Sequence, residues 1–352
     1  MKKLLKLLVT LGLLAVVTAA ALILWLTLTE YKPADVETVD PRAVLTGSKP
    51  LPAGESLEIL SWNIGYAGLG RDSDFFMDGG EHTASADEAT VRAYLEGIGR
   101  TIGEQGADAV ILQEVDLDSS RTYGIDQVRA LGSGNVYHAL NYACSFVPYP
   151  LPPIGRVRSG LMTMTDYAVD CAERLSLPCP FSWPVRAANL KRCLLVTYLP
   201  LEGTDKQLVL INLHLEAYDS GEGKIAQTRQ LSELIRGEYE KGNYVIAGGD
   251  FNQVFPGSLD VYPNTHPDLW QAGVLERSAL PAGFSFAFDL SAPTCRLLNQ
   301  PYDPADTVNT QYYVIDGFIL SPNVELESVE TLSLGFENSD HNPVLLRVSL
   351  TP

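Results

Sequence analysis

Hydrophobic and polar positions divide the chain into three regimes. Residues 7–28 form an apolar run broken only by Gly and Thr, and Lys2, Lys3 and Lys6 precede it. A helix of about 22 residues extends about 33 Å, enough to cross a hydrocarbon core of roughly 30 Å. Residues 30–55 lose the apolar periodicity and carry Pro33, Pro41, Pro50 and Pro52, so they read as a tether. From residue 56 to 352 strand-like and helix-like patterns alternate, as in one α/β domain. Strands are predicted at 57–62, 109–112, 193–198, 208–213, 244–247, 313–320 and 344–348. Val91, Leu95, Ile98 and Ile102 follow the capping-box pattern Ser85-Ala86-Asp87-Glu88 at helical spacing. Ile225, Leu231, Leu234 and Ile235 mark a second amphipathic helix ending near Gly242. No internal repeat is visible. Residues 117–158, 171–190 and 255–311 read as long loops rich in Pro, aromatic and polar side chains, the places expected to select substrate.

Composition narrows the class. With 46% hydrophobic residues in 352, the chain can bury a substantial core. A formal net charge of −18 repels nucleic-acid phosphates unless a basic groove or bound cations intervene, and no Lys/Arg run occurs beyond the N-terminus. The basic flank places the N-terminus in the cytoplasm and the domain outside it. The apolar run exceeds the usual secretory core, which favours a retained single-pass anchor. Cleavage near Val17-Thr18-Ala19-Ala20-Ala21, giving a secreted form, is the alternative. Cys144, Cys171, Cys179, Cys193 and Cys295 match no zinc spacing; Cys171 and Cys179 could close a small loop, but the five read mainly as buried hydrophobes.

Polar residues gather at the ends of the predicted strands. Asn63 follows Trp62, Gln113-Glu114 ends the strand Val110-Ile111-Leu112, and Asn212 and His214 lie two apart on one expected face. Asp250 and Asn252 follow Gly248-Gly249, Asp316 interrupts an apolar strand, and Asp340-His341-Asn342 precedes Val344. Each alone is ordinary: a turn residue, an exposed charge, an Asx turn or a satisfied histidine. Asp316 is the exception, because a carboxylate inside an apolar strand is costly unless partnered. Together they supply carboxylates, amides and imidazoles, the groups that hard cations and phosphate chemistry use.

In chain order, Ser61-Trp62-Asn63-Ile64, Leu112-Gln113-Glu114-Val115, Asn212-Leu213-His214-Leu215, Gly248-Gly249-Asp250-Phe251-Asn252, Ile315-Asp316-Gly317-Phe318-Ile319 and Ser339-Asp340-His341-Asn342-Pro343-Val344 resemble the endonuclease/exonuclease/phosphatase (DNase I-like) superfamily. The resemblance spans about residues 56–350. It implies a four-layered α/β (α+β) sandwich of two packed, mainly antiparallel β-sheets flanked by helices. Gly317 departs from the family's Ile-Asp-Tyr, and Ser159-Gly160-Leu161-Met162-Thr163-Met164-Thr165 matches the family's Gly-x-Ala-x-Leu-Ser-Arg strand only loosely. The resemblance implies that Glu114 is the principal ligand of Mg²⁺ (or Mn²⁺), with Asn63 nearby and Asp340 completing the shell. It implies that His341, oriented by Asp316, takes a proton from the attacking water, that Asp250 positions or deprotonates that water, that Asn252 holds a phosphate oxygen and that His214 stabilises the transition state. Both His341 and Asp250 qualify as the base.

The expected activity is metal-dependent hydrolysis of a phosphoester, with a phosphodiester favoured: a phospholipid head group or another small ester. An extracellular or surface nuclease is the alternative, and a catalytically silent binding module a third reading that the complete residue set disfavours. Arg121, Asn141 and Tyr142 are the candidate substrate contacts, with Arg121 meeting phosphate bidentately. Phe146, Pro148, Tyr149 and Pro150 form an apolar cluster read as packing under a long loop; dipping into a membrane interface is the other use. No obligate protein partner is evident.

Overall fold

The strand Ser56–Asn63 is buried on both faces, and that decides what must cover it. Leu57 and Ile59 face one way into a cluster that includes Leu208, Leu210, Ile246 and Phe318. Leu60 and Trp62 face the other way, under Val91, Tyr94, Leu95 and Ile98 of a helix. Gln207–His214 repeats the arrangement, with Val209, Ile211 and Leu213 covered by Leu231 and Ile235 of a second helix. Fully burying each such side chain contributes about 1.5–3 kcal/mol. Two sheets therefore pack face to face, and helices close the outside.

The computed structural model describes every residue except 53, 84–86, 220, 307 and 352. The elements used below are α1 Lys2–Leu28, β1 Val36–Thr38, β2 Ser56–Asn63, α2 Glu88–Gln105, β3 Ala109–Asp116, β4 Asn135–Val147, β5 Gly155–Thr165, β6 Cys171–Ser176, β7 Cys193–Pro200, β8 Gln207–His214, α3 Glu222–Glu240, β9 Tyr244–Asp250, β10 Ser285–Ala287, β11 Asp316–Leu320, β12 Val324–Thr331 and β13 Val344–Leu350. One sheet has the order β12-β13-β2-β3-β5-β4, the other β1-β6-β7-β8-β9-β11-β10. In each, one pair is parallel, β2 with β3 and β8 with β9, and the remaining neighbours are antiparallel. α2 and α3 are the crossovers that parallel pairing requires. The two halves thus share a strand–helix–strand plan that is not visible as a sequence repeat.

Several predicted elements stand and others need correction. The capping-box residues Ser85 and Ala86 lie outside the described residues; Asp87 itself caps α2, accepting from the Thr90 amide at 2.7 Å. The supposed loop 117–158 holds β4 and the start of β5, and 171–190 holds β6. These strands escaped notice because Asn135, His138, Asn141 and Arg174 are buried polar residues that break the apolar alternation. The predicted strand 313–320 is split, with Tyr312–Tyr313 pairing separately from β11. Ile225 is exposed and takes no part in the buried face of α3. The stretch read as a tether is laid against the domain, through β1 on β6 and through Leu51 beside Leu201. All five cysteines are free thiols, so nothing closes between Cys171 and Cys179.

α1 is long and apolar enough to be a membrane span or a signal sequence. Most of it stands clear of the domain, and only its last turns touch down. Leu26 is buried with Cys144 and Ala187, and Leu22 packs against the same cluster. Trp183 Nε1 donates to Thr27 Oγ1 at 3.0 Å, and Glu30 pairs with Arg186 at 2.9 Å and Lys191 at 3.5 Å.

His138 on β4 is buried, its Nε2 within 3.2 Å of the Val115 carbonyl, while Nδ1 has no partner among the described residues. Burial pushes its pKa down to about 4. Its folded pKa lies below the unfolded value, so the unfolded state binds the extra proton and stability falls as pH drops from about 6.5 toward 4. Between pH 7 and pH 4.5 the full chain in detergent should lose on the order of 2–3 kcal/mol through this group. His138→Gln should remove that part of the acid sensitivity, read from denaturation midpoints at the two pH values.

Candidate active site

Strand register carries the polar tips to one edge of the sandwich. His214 on β8 pairs with Asp250 on β9, and Asp250 pairs with Asp316 on β11. Three ionisable residues from distant parts of the chain therefore stand in one row across three adjacent strands. In the other sheet Asn63 on β2 pairs with Gln113 on β3. Asp340 and His341 arrive on the segment leading into β13, tied by a bridge between His341 and Cys295.

Backbone strain aims individual side chains. The β3–β5 ladder shifts register between Leu112 and Val115, and Glu114 inside this bulge has φ 56°. A non-glycine residue pays roughly 1–2 kcal/mol for that conformation, and a bulge of this kind re-aims a side chain. Asn252 at φ 51° and Tyr66 at φ 42° are similarly held. Glycine is required at position 249, where φ is 139° and an added Cβ would lie 2.0 Å from the Leu213 carbonyl oxygen. Gly317 has a separate reason: a Cβ there would meet the Phe255 ring at 2.8 Å, so Phe255 fills the space a larger residue would need.

Hydrogen bonds join these residues into one network. His341 Nδ1 lies 2.8 Å from Asp316 Oδ2, and His341 Nε2 lies 3.8 Å from Asp250 Oδ2. Asn63 Nδ2 donates to Asp250 Oδ2 at 3.0 Å and reaches Glu114 Oε1 at 3.4 Å. His214 Nε2 is 3.4 Å from Asp250 Oδ2. The Asn252 amide donates to Asp250 Oδ1 at 2.8 Å, and its side chain donates to the Leu215 carbonyl. Thr294 Oγ1 accepts from the amides of Ile315 and Asp316, fixing the chain on which Asp316 sits.

Burial sets the electrostatics. Asp250 is pushed up to about 7 by desolvation and then by the Asp316 charge, with His341 opposing. Asp340 is also pushed up to about 7 by burial; His341 lowers it and the Glu114 carboxylate raises it. Burial alone would depress His341, but the adjacent Asp316 carboxylate reverses this and holds it well above the usual histidine range. His214, desolvated and beside Arg192 and His341, is held well below that range and stays neutral. The two imidazoles thus differ in charge, one a cation tied to Asp316 and one neutral beside Asp250.

Asn63, Glu114, His214, Asp250, Asn252, Asp340 and His341 line a single cavity of about 660 Å³. Asp316 lies behind His341 and positions it. Arg121, Asn141 and Tyr142 also line the cavity, and the Arg121 guanidinium is held in place there rather than free. Its Nε and one Nη already donate to Asp116 at 3.1 and 2.9 Å, and the guanidinium stacks 3.6 Å over the Tyr66 ring. Asn212 shares the inter-sheet face of its strand with His214, and its side chain is fully engaged there: it donates to the Leu112 and Met162 carbonyls and accepts from Gln113. Sequence reasoning missed Gln113 in that role, Thr294 behind Asp316, and the cavity-lining Asp78, Arg192 and Glu216. None stands in a pattern of its own, and only Gln113 lay inside a motif.

Two groups of donors could hold a cation. Asp250, Asp316 and His341 offer ligand atoms within 4.8 Å of one another. That trio is already joined by the His341–Asp316 hydrogen bond, and a cation there would have to displace its proton. Glu114 and Asp340 form the better set, with Asn63 beside them. The two carboxylates are hard oxygen donors, and among the described residues Glu114 accepts only the long bond from Asn63. Asn63 turns its Nδ2 to Glu114 and Asp250 while its Oδ1 accepts from the Gly65 amide, so its amide would have to turn over to offer an oxygen to a cation. An acid held near 7 by burial beside another carboxylate is the environment that a divalent cation reverses.

Residues 60–341 match the pattern described as the Endonuclease/Exonuclease/phosphatase family. Solved structures with the same fold include the endonuclease/exonuclease/phosphatase of Beutenbergia cavernae DSM 12333, at 18% identity over 84% of this chain and 72% of that one, TM-score 0.56. The family protein of Leptotrichia buccalis C-1013-b matches at 15% identity over 84% of this chain and 100% of that one, TM-score 0.52. The Bacteroides vulgatus endonuclease/exonuclease/phosphatase matches at 16% identity over 84% and 99%, TM-score 0.52. No curated protein matches the chain. Two mixed sheets flanked by helices, polar strand tips gathered in one cavity and a family pattern running through residues 60–341 agree: the chain belongs to the endonuclease/exonuclease/phosphatase family of phosphoester hydrolases.

Proposed function

We propose that this protein is a Mg²⁺-dependent phosphodiesterase (Mn²⁺ serving in its place), held to a membrane by α1 with its catalytic domain outside the cytoplasm. The observation that carries the reading is the convergence of Glu114, Asp250 and His341 on one cavity, with Asn63 hydrogen-bonded between them. The basic residues Lys2, Lys3 and Lys6 before α1 support the orientation. The net charge of −18 supports a small or lipid-borne ester over a nucleic acid.

A divalent cation at Glu114 and Asp340, beside Asn63, would polarise a phosphoryl oxygen and neutralise developing charge. The protein's own residues account for the remaining steps. Asp250, held by Asn63 and the Asn252 amide, points Oδ2 toward the space shared with His341 and His214. Water placed there adds its oxygen to phosphorus, its proton passing to the Asp250 carboxylate beside the cationic His341. The phosphorus–oxygen bond to the leaving alcohol breaks, and that alcohol takes up the proton from this pair. A diester plus water gives an alcohol and a monoester. Asp316 keeps the Nδ1 proton of His341 in place, so Nε2 faces the reaction. Asn252 and neutral His214 donate to phosphoryl oxygens as charge builds.

Hydrolysis of bis(p-nitrophenyl) phosphate by the full chain in detergent tests the reading: activity should require added Mg²⁺ and stop with EDTA. Activity that persists in EDTA would overturn it. Glu114→Ala should lower turnover at fixed Mg²⁺ by a factor on the order of 10² and regain part of it at raised Mg²⁺. Wild-type turnover at trace Mg²⁺ would remove Glu114 as a ligand. His341→Ala should lower kcat by roughly 10²–10⁴ and, by leaving buried Asp316 without its partner, should also lower the thermal midpoint. Asp316→Asn should lower kcat while the Mg²⁺ concentration for half activation stays constant; loss of Mg²⁺ dependence on this substitution would place Asp316 among the ligands.

A further inference from the structure

The candidate cavity has two unlike halves. Its floor holds the polar network, while its outer wall is built from side chains such as Phe75, Phe76, Val147, Tyr149, Phe181 and Val185. Phosphate chemistry uses none of these. An apolar outer chamber over a phosphate-binding floor fits an amphiphile, with its charged ester inside and its hydrocarbon toward the mouth.

The same wall is joined to the anchor. Tyr142, Phe146 and Val147 pack in the cluster that contains Leu22 and Leu26 of α1. Trp183, between the lining residues Phe181 and Val185, donates to Thr27 Oγ1 near the end of that helix. Leu22 lies about 9 Å below the helix end at 1.5 Å per residue. Where α1 crosses a bilayer, the end of β4 and the loop around Trp183 are drawn to the depth of the leaflet surface. Arg186 and Lys191, paired with Glu30, sit just beyond the helix end, at head-group level.

Two apolar loops extend outward from these contacts, and their tips are exposed among the described residues. Tyr149 is 71% exposed and Leu151 84% exposed on the β4–β5 connection, and Trp183 is 57% exposed on the other loop. Of Phe146, Pro148, Tyr149 and Pro150, Phe146 packs against the cluster holding Leu22 and Leu26 and the two prolines are half-buried, so the packed reading fails only at Tyr149. Exposed Trp, Tyr, Leu and Pro beside an apolar spanning helix match the composition of membrane-interface segments.

We infer that residues 147–154 and 181–185 form an apolar rim seated in the lipid leaflet beside α1, and that the cavity takes its substrate from that leaflet: a lipid phosphodiester whose phosphate reaches Glu114 while its chains stay in the outer chamber. The inference rests on the phosphodiesterase reading above and specifies its substrate class. The anchor then does more than tether, because its last turns pack behind the wall through which substrate enters.

The test uses the full chain reconstituted in vesicles of phosphatidylcholine, phosphatidylethanolamine, phosphatidylglycerol and sphingomyelin, with Mg²⁺. In the Leu151→Trp variant the added indole emission should be quenched by lipids brominated along their acyl chains and resist aqueous acrylamide. Emission quenched by acrylamide and untouched by brominated chains overturns the rim. Phosphoester cleavage of a vesicle lipid, followed by mass spectrometry, should accompany cleavage of soluble bis(p-nitrophenyl) phosphate. Cleavage of the soluble diester with every vesicle lipid intact overturns the inference and leaves the phosphodiesterase reading standing; cleavage of neither overturns both. The double variant Leu151→Asp, Trp183→Asp should lower lipid turnover by about tenfold or more, while soluble-diester turnover holds. Equal loss on both substrates counts against a role confined to the rim.

Discussion

The site depends on how two apolar sheets are locked in register against each other. Apolar packing between them is non-directional and tolerates small slides. A buried amide does not. Asn212 of one sheet donates to the Leu112 and Met162 carbonyls of the other and accepts from Gln113, so a shift would leave several buried polar groups unpaired. With that clamp in place, the tips of β2 and β3 meet those of β8, β9 and β11 at one edge. Glu114 stands one residue beyond the clamp in β3, and His214 two residues beyond it in β8. The distance between Glu114 on one side of the cavity and His214 and Asp250 on the other is therefore set by hydrogen bonds made below the cavity, between the sheets.

The polar cluster at that edge is costly, and the structure shows where the cost is offset. Asp250, Asp316, Asp340 and His341 are all buried, and desolvation opposes ionisation in each described shift among them. His341 remains charged because Asp316 is in contact with it, whereas Asp250 and Asp340 are pushed toward neutral pH. Left-handed backbone at Tyr66, Glu114 and Asn252 adds strain at the same place. Sheet packing elsewhere sustains it, through the apolar clusters between the sheets and under α2 and α3. One edge of the sandwich is thus held in a geometry that its own residues would not choose.

A second coupling links the site to the anchor. Cluster residues Leu26, Cys144 and Ala187 join the last turns of α1 to the outer wall of the cavity. β1 pairs with the edge strand β6, so the segment between helix and domain is also held. The orientation of the cavity relative to α1 is consequently built into the fold and does not depend on a flexible connection. This is why the exposed apolar tips, the spanning-length helix and the catalytic floor bear on one another.

Much of this was legible in the chain itself. An apolar run after three lysines marked α1, two-sided apolar strands and amphipathic helices marked the layered α/β domain, and six polar strand ends in order marked the family and its candidate residues. Such features are local: composition, period and short motifs write them directly. The sequence left other things open because they depend on contacts between distant segments. Buried polar residues hid β4 and β6, whose partners appear only when strands pair. Nothing local shows that Asp116 holds the Arg121 guanidinium, or that Asn212, on one face with His214, bridges the two sheets. The row of His214, Asp250 and Asp316 exists only through strand register. Tertiary structure alone placed the apolar wall against α1, since pairing and packing between remote residues are selected by the geometry of the whole fold and by no local pattern.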